Sequence, residues 1–197
     1  FVNRTGGLSS ATSLSSDIAD ARTLVLATVC SATNSDRWNE VEEALKTRPD
    51  LMVISFVDGS TATGCPANLT RFTTAINSIR PSSWSTITAP PTSGPITAPL
   101  NPQSLYATTF QPVLPSLRGE FWGRMSPVPT DYALYTSTAV PSPAPAIVTN
   151  SYGLFIPQAA SNGGNGACLF FVADATQFAL DQPGQSNNIA QALYNAA

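Results

Sequence analysis

The sequence predicts an α+β fold whose N-terminal half has α/β character. Three observations support this prediction. Apolar runs of strand length alternate with helical patterns between residues 20 and 81. A proline-rich stretch begins at residue 82. After that stretch, short apolar runs recur with turn residues between them. We therefore expect a strand–helix–strand–helix unit, a proline-rich arm and a mainly antiparallel β second half.

The composition is compatible with one well-cored domain. Hydrophobic residues make up 43% of the 197 residues, whereas charged residues make up only 11%. We expect residues 1–19 to form an N-terminal arm and residues 20–197 to form a single α+β domain. The net charge is −3. So few charges leave little repulsion between copies, which favours a protein that assembles.

The first strand and helix follow from periodicity. Residues 23–30, TLVLATVC, form an apolar run rich in β-branched residues, which predicts a buried strand. Residues 35–49 are predicted to form a helix, because Trp38, Val41 and Leu45 recur at helical spacing and Pro49 ends the pattern.

The same alternation then repeats. Residues 51–57, LMVISFV, predict a second buried strand, and residues 69–81 predict a second helix that ends at Pro81. Its apolar stripe consists of Phe72, Ala75, Ile76 and Ile79. Strand, helix and strand with short links are typical of a βαβ unit, so the two strands are expected to run parallel.

From Ser82 the chain changes character. Five prolines between residues 82 and 103 disfavour a regular helix or a central strand. We interpret residues 82–117 as an extended arm that lies along a neighbouring subunit, or as a long loop on the surface of its own domain. Five apolar residues would be the interface contacts: Trp84, Ile87, Ile96, Leu100 and Trp122.

Short apolar or alternating runs fill the second half, with turn residues between them. This spacing predicts an antiparallel sheet. Residues 161–167, SNGGNGA, are expected to be a flexible connection between two of its strands, and residues 187–197 are expected to form a closing helix.

The chain contains no histidine, which removes Ser-His-Asp and Cys-His catalysis and histidine-ligated metal sites. Its single lysine, Lys46, lies on the first helix, so the glycine-containing loop after residue 57 lacks the lysine of a phosphate-binding loop. Its three cysteines are dispersed and cannot form a four-cysteine zinc site, although one disulfide remains possible. We predict no cofactor and no metal.

The stretch FVDGST resembles part of the Asp-x-Asp-Gly-Thr motif of haloacid-dehalogenase-like phosphotransferases. In that resemblance Asp58 would match the general acid/base, but Phe56 stands in the place of the nucleophilic aspartate. The stretch is interpreted instead as a strand that ends in a turn, with Asp58 hydrogen-bonded to the turn backbone.

General acid/base chemistry would therefore rest on carboxylates, of which the candidates are Asp58, Glu120, Asp131 and Asp174. A glycosidase needs two of them about 5–10 Å apart, and spacing in sequence cannot pair them. Glu120 lies beside Phe121 and Trp122, which leaves a carbohydrate-binding or cell-surface ligand-binding module as an alternative function. A carboxylate-based hydrolase is a further alternative, but we predict no catalytic residues and no enzyme.

With few lysines, no histidine, abundant Ala, Ser, Thr and Pro, and many short β-runs, the chain is similar to viral coat proteins and capsid-surface protrusions. This resemblance lies in composition and implies a structural role in a virion. The expected partners are further copies of the chain and other shell proteins. Basic clusters for nucleic acid and apolar runs long enough for a membrane span are missing from the sequence. The expected location is the virion or the host cytoplasm, with an extracellular location as the alternative.

Overall fold

A computed structural model describes residues 13–28, 35–59, 61, 64–92, 96–109, 115–119 and 123–173. The helices in these ranges are α1 (Leu14–Asp17), α2 (Ser35–Thr47) and α3 (Cys65–Ile79). The strands are β1 (Thr23–Thr28), β2 (Met52–Val57), β3 (Ile96–Pro99), β4 (Ser116–Gly119), β5 (Val128–Pro129), β6 (Ala133–Thr136), β7 (Ile147–Val148), β8 (Ser151–Ile156) and β9 (Cys168–Val172).

A five-stranded mixed sheet forms the centre of the fold, with the strand order β1-β2-β9-β8-β6. Strands β1, β2 and β9 run parallel, whereas β8 and β6 continue the sheet in antiparallel pairing. The expected α+β class is confirmed, with the parallel βαβ unit in the N-terminal half and antiparallel pairing in the second half. Two short antiparallel pairs, β3-β4 and β5-β7, lie outside the central sheet.

Helices α2 and α3 pack on one face of the sheet. The apolar stripes predicted for the two helices are buried there, and Phe72 stacks on Phe171 of β9 with the ring centroids 4.9 Å apart. Trp38 of α2 meets the edge of the same Phe72 ring at 5.5 Å. Helix α3 begins at Cys65, four residues before its predicted start, because Pro66 fits the first turn of a helix.

The opposite face of the sheet is covered by the β3-β4 pair and by residues 100–109. Ile54 and Phe56 of β2 are buried on this face together with Ala98 of β3 and Leu117 of β4. The central strands are therefore buried on both sides, which explains their nearly continuous apolar sequences.

The proline-rich segment lies on its own domain over its described residues 82–92, 96–109 and 115–117. The side-chain amide of Asn77 donates to the backbone C=O of Ile87 (2.7 Å) and accepts from its N–H (2.8 Å). Arg80 donates to the backbone C=O of Trp84 (2.6 Å). These bonds hold the start of the segment against the end of α3.

Residues 158–164 connect β8 to β9, as expected, through two short 3₁₀ turns with a kink at Ser161, Asn162 and Gly163. Hydrogen bonds tie this segment to the end of α2, an attachment that the expectation of a flexible connection did not include. The side-chain amide of Asn162 donates to the backbone C=O of Lys46 (3.0 Å). The N–H of Ala167 donates to the backbone C=O of Leu45 (2.8 Å). Asn162, Gly163 and Gly164 reach this geometry through positive φ angles.

At the N-terminal side, Leu14 of α1 and Ile18 just after it are buried in the main core. Residues 13–19 of the predicted arm thus pack on the domain, whereas residues 1–12 lie outside the described ranges. The predicted closing helix at 187–197 also lies outside them.

Cys65 is disulfide-bonded, and Cys168 carries a free thiol.

Candidate functional site

The structure places the five predicted interface residues in different environments. Trp84 and Ile87 are only 9% and 1% exposed, because both pack into the core of their own chain. Ile96 and Leu100 are half-buried against the apolar cluster on the second face of the sheet. Trp122 lies outside the described residues. In this conformation Trp84 and Ile87 stabilise the fold and are not accessible to a second subunit.

The predicted carboxylates do not come together where the structure describes them. Asp58 directly follows β2 at the carboxyl end of that strand. Asp131 lies just before β6, and the sheet order β1-β2-β9-β8-β6 places β6 three strand spacings from β2. Three strand spacings amount to about 14 Å. Asp58 and Asp131 are therefore too far apart for a two-carboxylate site, and Glu120 and Asp174 lie outside the described ranges.

The most distinctive surface lies in the second half of the chain. Residues 132–173 contain no Asp, Glu, Lys or Arg over 42 consecutive positions. Within this run, residues 137–150 connect β6 to β8 and contain three prolines, two serines and two threonines. We refer to residues 137–150 as the neutral loop.

Backbone pairing at its base holds the neutral loop in place. Its strand β7 pairs with β5, and the N–H of Ser137 donates to the C=O of Asn150 (3.0 Å), which closes the loop. Thr130 binds the returning strand twice: its N–H donates to the C=O of Ala146 (3.1 Å), and its hydroxyl donates to the C=O of Pro145. Val140 and Val148 are buried beneath the loop. Residues 141–143 are therefore exposed residues of a loop whose base is held by hydrogen bonds.

A shallow cleft of about 180 Å³ lies on the neutral loop. Apolar groups of Val140, Pro141 and Ile147 line it together with the polar groups of Thr138 and Asn150. Ile147 is 47% exposed, so its aliphatic side chain is accessible at the surface. The surface can take part in apolar contacts and neutral hydrogen bonds, and it contributes no charge to either.

A second partly exposed group lies at the other end of the sheet. Tyr106 contacts the rings of Tyr132 (5.7 Å) and Phe155 (4.9 Å), and Leu105 beside it is 67% exposed. Burial raises the pKa of Tyr106, with further contributions from neighbouring groups that include Asp131. These rings are partly accessible and lie beside an exposed carboxylate.

The free thiol of Cys168 lies close to this aromatic group. Burial raises its pKa to about 11, although a backbone hydrogen bond from Gln158 acts in the opposite direction. The thiol is therefore protonated at neutral pH and does not have the thiolate character of a nucleophilic cysteine.

Residue patterns led to the interface prediction at 82–117 and did not single out the neutral loop. A signal was present in the sequence: the 42 uncharged positions contain a second proline-rich segment, VPSPAPA, between two strand-like runs. The structure shows that Trp84 and Ile87 of the first segment are buried in their own domain, whereas residues 141–143 and 145–147 of the neutral loop are exposed.

No family model, curated protein sequence or solved structure matches this chain. Among the described residues, His, Cys, Asp and Glu do not form a group of three or more that could hold a metal ion. No helix within the described ranges combines the length and apolar character needed to cross a membrane.

Proposed function

We propose that the chain is a structural component of a viral capsid or of a capsid-surface protrusion, and that the neutral loop is one of its assembly contacts. The observation that carries this proposal is the coincidence of a 42-residue uncharged run with an exposed loop that is hydrogen-bonded at its base and exposes Ile147. The compositional similarity to viral coat proteins supports the same class.

The physical argument rests on desolvation. Charged groups that enter an interface lose strong hydration, whereas Pro, Ala, Val and Ile gain free energy when they leave water. Burying a further 40 Å² of apolar surface at one side chain contributes about 1 kcal/mol, so one contact of this kind is weak. Repetition of a weak contact over many copies gives a stable shell through avidity.

The disulfide at Cys65 bears on where the protein acts. Disulfides persist on virion surfaces and in extracellular environments, and thiol buffers keep them reduced in the cytosol. The disulfide therefore favours the virion surface over the host cytoplasm as the working location.

The test is the mass of the native species as a function of protein concentration, measured by sedimentation velocity in low and high salt. We expect concentration-dependent oligomers whose affinity is nearly insensitive to salt, because the neutral loop carries no ionic group. A monodisperse monomer at every concentration would overturn the proposal.

A pair of matched variants localises the contact. Ile147→Asp places a carboxylate on the neutral loop, and we expect it to weaken assembly by about tenfold or more, equivalent to about 1.4 kcal/mol. Leu105→Asp introduces the same change at the more exposed Leu105, outside the loop, and should leave assembly unchanged. Equal effects of the two variants would show that the neutral loop is not the contact.

A carbohydrate-binding or cell-surface ligand-binding role is the second candidate, because Tyr106 and Tyr132 present partly accessible rings beside Asp131. Trp84 meets the edge of Tyr132 with the ring centroids 4.6 Å apart, so its fluorescence should report a ligand there. A titration with soluble glycans that changes the fluorescence, and that Tyr106→Ala abolishes, would favour this second candidate.

A further inference from the structure

Strand β1 is the outer strand of the central sheet and has one described neighbour. The N–H of Met52 donates to the C=O of Arg22 (2.8 Å), and Thr23 lies opposite Met52 in the parallel register. Since the direction of backbone groups alternates along a strand, Thr23, Val25 and Ala27 direct their N–H and C=O groups to the outer side. No described residue pairs with that side of β1.

The opposite edge of the same sheet is covered. Leu100 forms an antiparallel bridge with Tyr135 of β6, and the N–H of Asn101 donates to the C=O of Leu134 (2.7 Å). The side-chain amide of Asn101 adds a bond to the C=O of Ala133 (2.8 Å). The β6 edge is thus covered, whereas the outer edge of β1 has no neighbour among the residues that the structure describes.

The sequence of β1 has none of the features that normally prevent edge pairing. Its six residues, TLVLAT, include no charge and no proline, and its register with β2 is continuous. Val25 is 46% exposed on the face of the sheet opposite the helices, and Ala27 is also exposed. An added strand would satisfy the outer backbone groups and cover Val25 at the same time.

We infer that β1 pairs with β1 of a second copy of the chain, antiparallel and about a twofold axis that passes by Val25, to form a ten-stranded sheet across two subunits. In this register Val25 lies opposite its own symmetry mate, and Thr23 lies opposite Ala27 of the other copy. All three residues form hydrogen-bonded pairs, so about six backbone hydrogen bonds join the two copies.

A second copy fits this edge because the arrangement is self-complementary. The residues brought opposite one another are small or β-branched and uncharged, so the pairing involves neither a clash nor like charges. This contact uses a different surface from the neutral loop, and it does not depend on the loop being an assembly contact.

The first test is hydrogen exchange of the unmodified full chain, resolved at single amides, between about 10 µM and about 1 mM protein. We expect the amides of Thr23, Val25 and Ala27 to become protected as concentration rises, whereas the amide of Leu105 keeps its rate. Fast exchange of the three amides at every concentration would overturn the pairing. Equal protection at every concentration would assign the edge to the same chain and would also overturn it.

The second test uses charge at the twofold position. Val25→Lys places two lysines opposite each other, and we expect the dimer dissociation constant to rise about tenfold or more. Val25→Asp should have the same effect. A mixture of the two variants places Lys opposite Asp and should recover dimerisation to within about threefold of the unmodified chain.

Recovery in the mixture distinguishes pairing from misfolding, because a variant that fails to fold is not rescued by its charge-reversed counterpart. Failure of the mixture to associate, with both variants folded by circular dichroism, would overturn the twofold register. Ile147→Asp should leave the protection of Val25 intact, so loss of the neutral-loop contact and loss of the β1 contact are separate outcomes.

Discussion

Residues 17–50 and residues 132–173 are held in place by different kinds of interaction. The first region contains 11 of the 21 charged residues of the chain, and the second contains none. In the first region ion pairs join neighbouring segments, such as Arg22 with Asp50 at 2.7 Å. In the second region hydroxyl and amide side chains bind backbone carbonyl groups, as Ser151 binds the C=O of Gly153 (2.8 Å).

The difference shows that this protein concentrates its few charged residues in one region of the chain. The charged region keeps water around α2, whose Glu42 and Lys46 form a partly exposed ion pair at 2.6 Å. The uncharged half can present a surface that loses little hydration on contact. If this division is real, changes to neutral hydrogen bonds should be the costly ones, and effects of pH should come from the charged region.

Asn101→Ala should have the largest effect, because this buried amide joins the segment after β3 to the turn before β6. Its side chain donates to the C=O groups of Thr130 (3.0 Å) and Ala133 (2.8 Å) and accepts from the N–H of Gln103 (3.0 Å). Removal leaves buried backbone groups unpaired, so we expect the free energy of unfolding to fall by about 3 kcal/mol. Urea denaturation measures it.

Asn162→Ala is the control for that variant. Its side chain also donates to a backbone C=O, that of Lys46, but Asn162 is exposed and water can replace the lost bond. We expect a cost below about 1 kcal/mol. A similar cost for both variants would contradict the expectation that burial determines the cost of losing an amide hydrogen bond.

Gly166→Ala tests the point where the two regions meet. An added Cβ would lie 2.7 Å from the backbone C=O of Leu45, at the end of α2, and would also collide with the hydroxyl of Ser161. We expect the free energy of unfolding to fall by about 2 kcal/mol. The amide hydrogen of Ala167, which binds the C=O of Leu45, should also exchange faster with solvent. Calorimetry and hydrogen exchange measure the two effects.

Gly163→Ala separates packing from backbone strain. A Cβ at Gly163 meets no atom within 4 Å, but its φ of +63° is unfavourable for alanine. We expect the free energy of unfolding to fall by about 1 kcal/mol, without faster hydrogen exchange at the amide of Ala167. If Gly166→Ala behaved in the same way, the position of residues 158–164 would not depend on their contact with α2.

These two glycines also show what residue patterns can and cannot predict. The βαβ unit was predicted because each of its elements has its own periodicity, as with Trp38, Val41 and Leu45 on α2. The position of residues 161–167 was not predicted, because it depends on contacts with α2, which lies more than 100 residues earlier in the chain. The same reasoning explains why the insertion of β9 between β2 and β8 was not predicted.

The candidate site follows the same division. Composition predicted a neutral assembling surface, but it could not decide which proline-rich segment is more exposed. Asn77 and Arg80 bind the backbone at Ile87 and Trp84, which are buried; these bonds span only 10 and 4 residues, but they join side chains to backbone groups and leave no periodic pattern in the sequence. The position of the neutral loop likewise depends on β5, which lies about 20 residues before β7 in the chain.

Effects of pH should come from the charged region. The side-chain hydrogen bond from Arg48 lowers the pKa of Asp50 from 3.8 to about 2. A lowered folded-state pKa stabilises the protein above the unfolded-state pKa, and this contribution is lost as pH falls from about 4 to about 2. We expect Asp50→Asn to reduce the fall in stability over that range, as measured by urea denaturation at several pH values.

Arg48→Met provides the control for the pH experiment. Arg48 also donates to the C=O groups of Ile18 (3.0 Å) and Ala21 (3.0 Å), so its loss should lower stability at every pH. In the Arg48→Met background, Asp50→Asn should have a much smaller effect on the pH dependence. An undiminished effect there would show that another group lowers the pKa of Asp50.

Ser55→Ala should have the smallest effect, and of the opposite sign. Ser55 is fully buried on β2, and its hydroxyl has no hydrogen-bond partner among the described residues. Removing a buried, unpaired hydroxyl eliminates its desolvation cost, so we expect the free energy of unfolding to rise by up to about 1 kcal/mol. Ser151→Ala is the matched control, because that equally buried hydroxyl donates to the C=O of Gly153 and its loss should cost about 1 kcal/mol. Destabilisation by Ser55→Ala would mean that its hydroxyl has a hydrogen-bond partner outside the described residues.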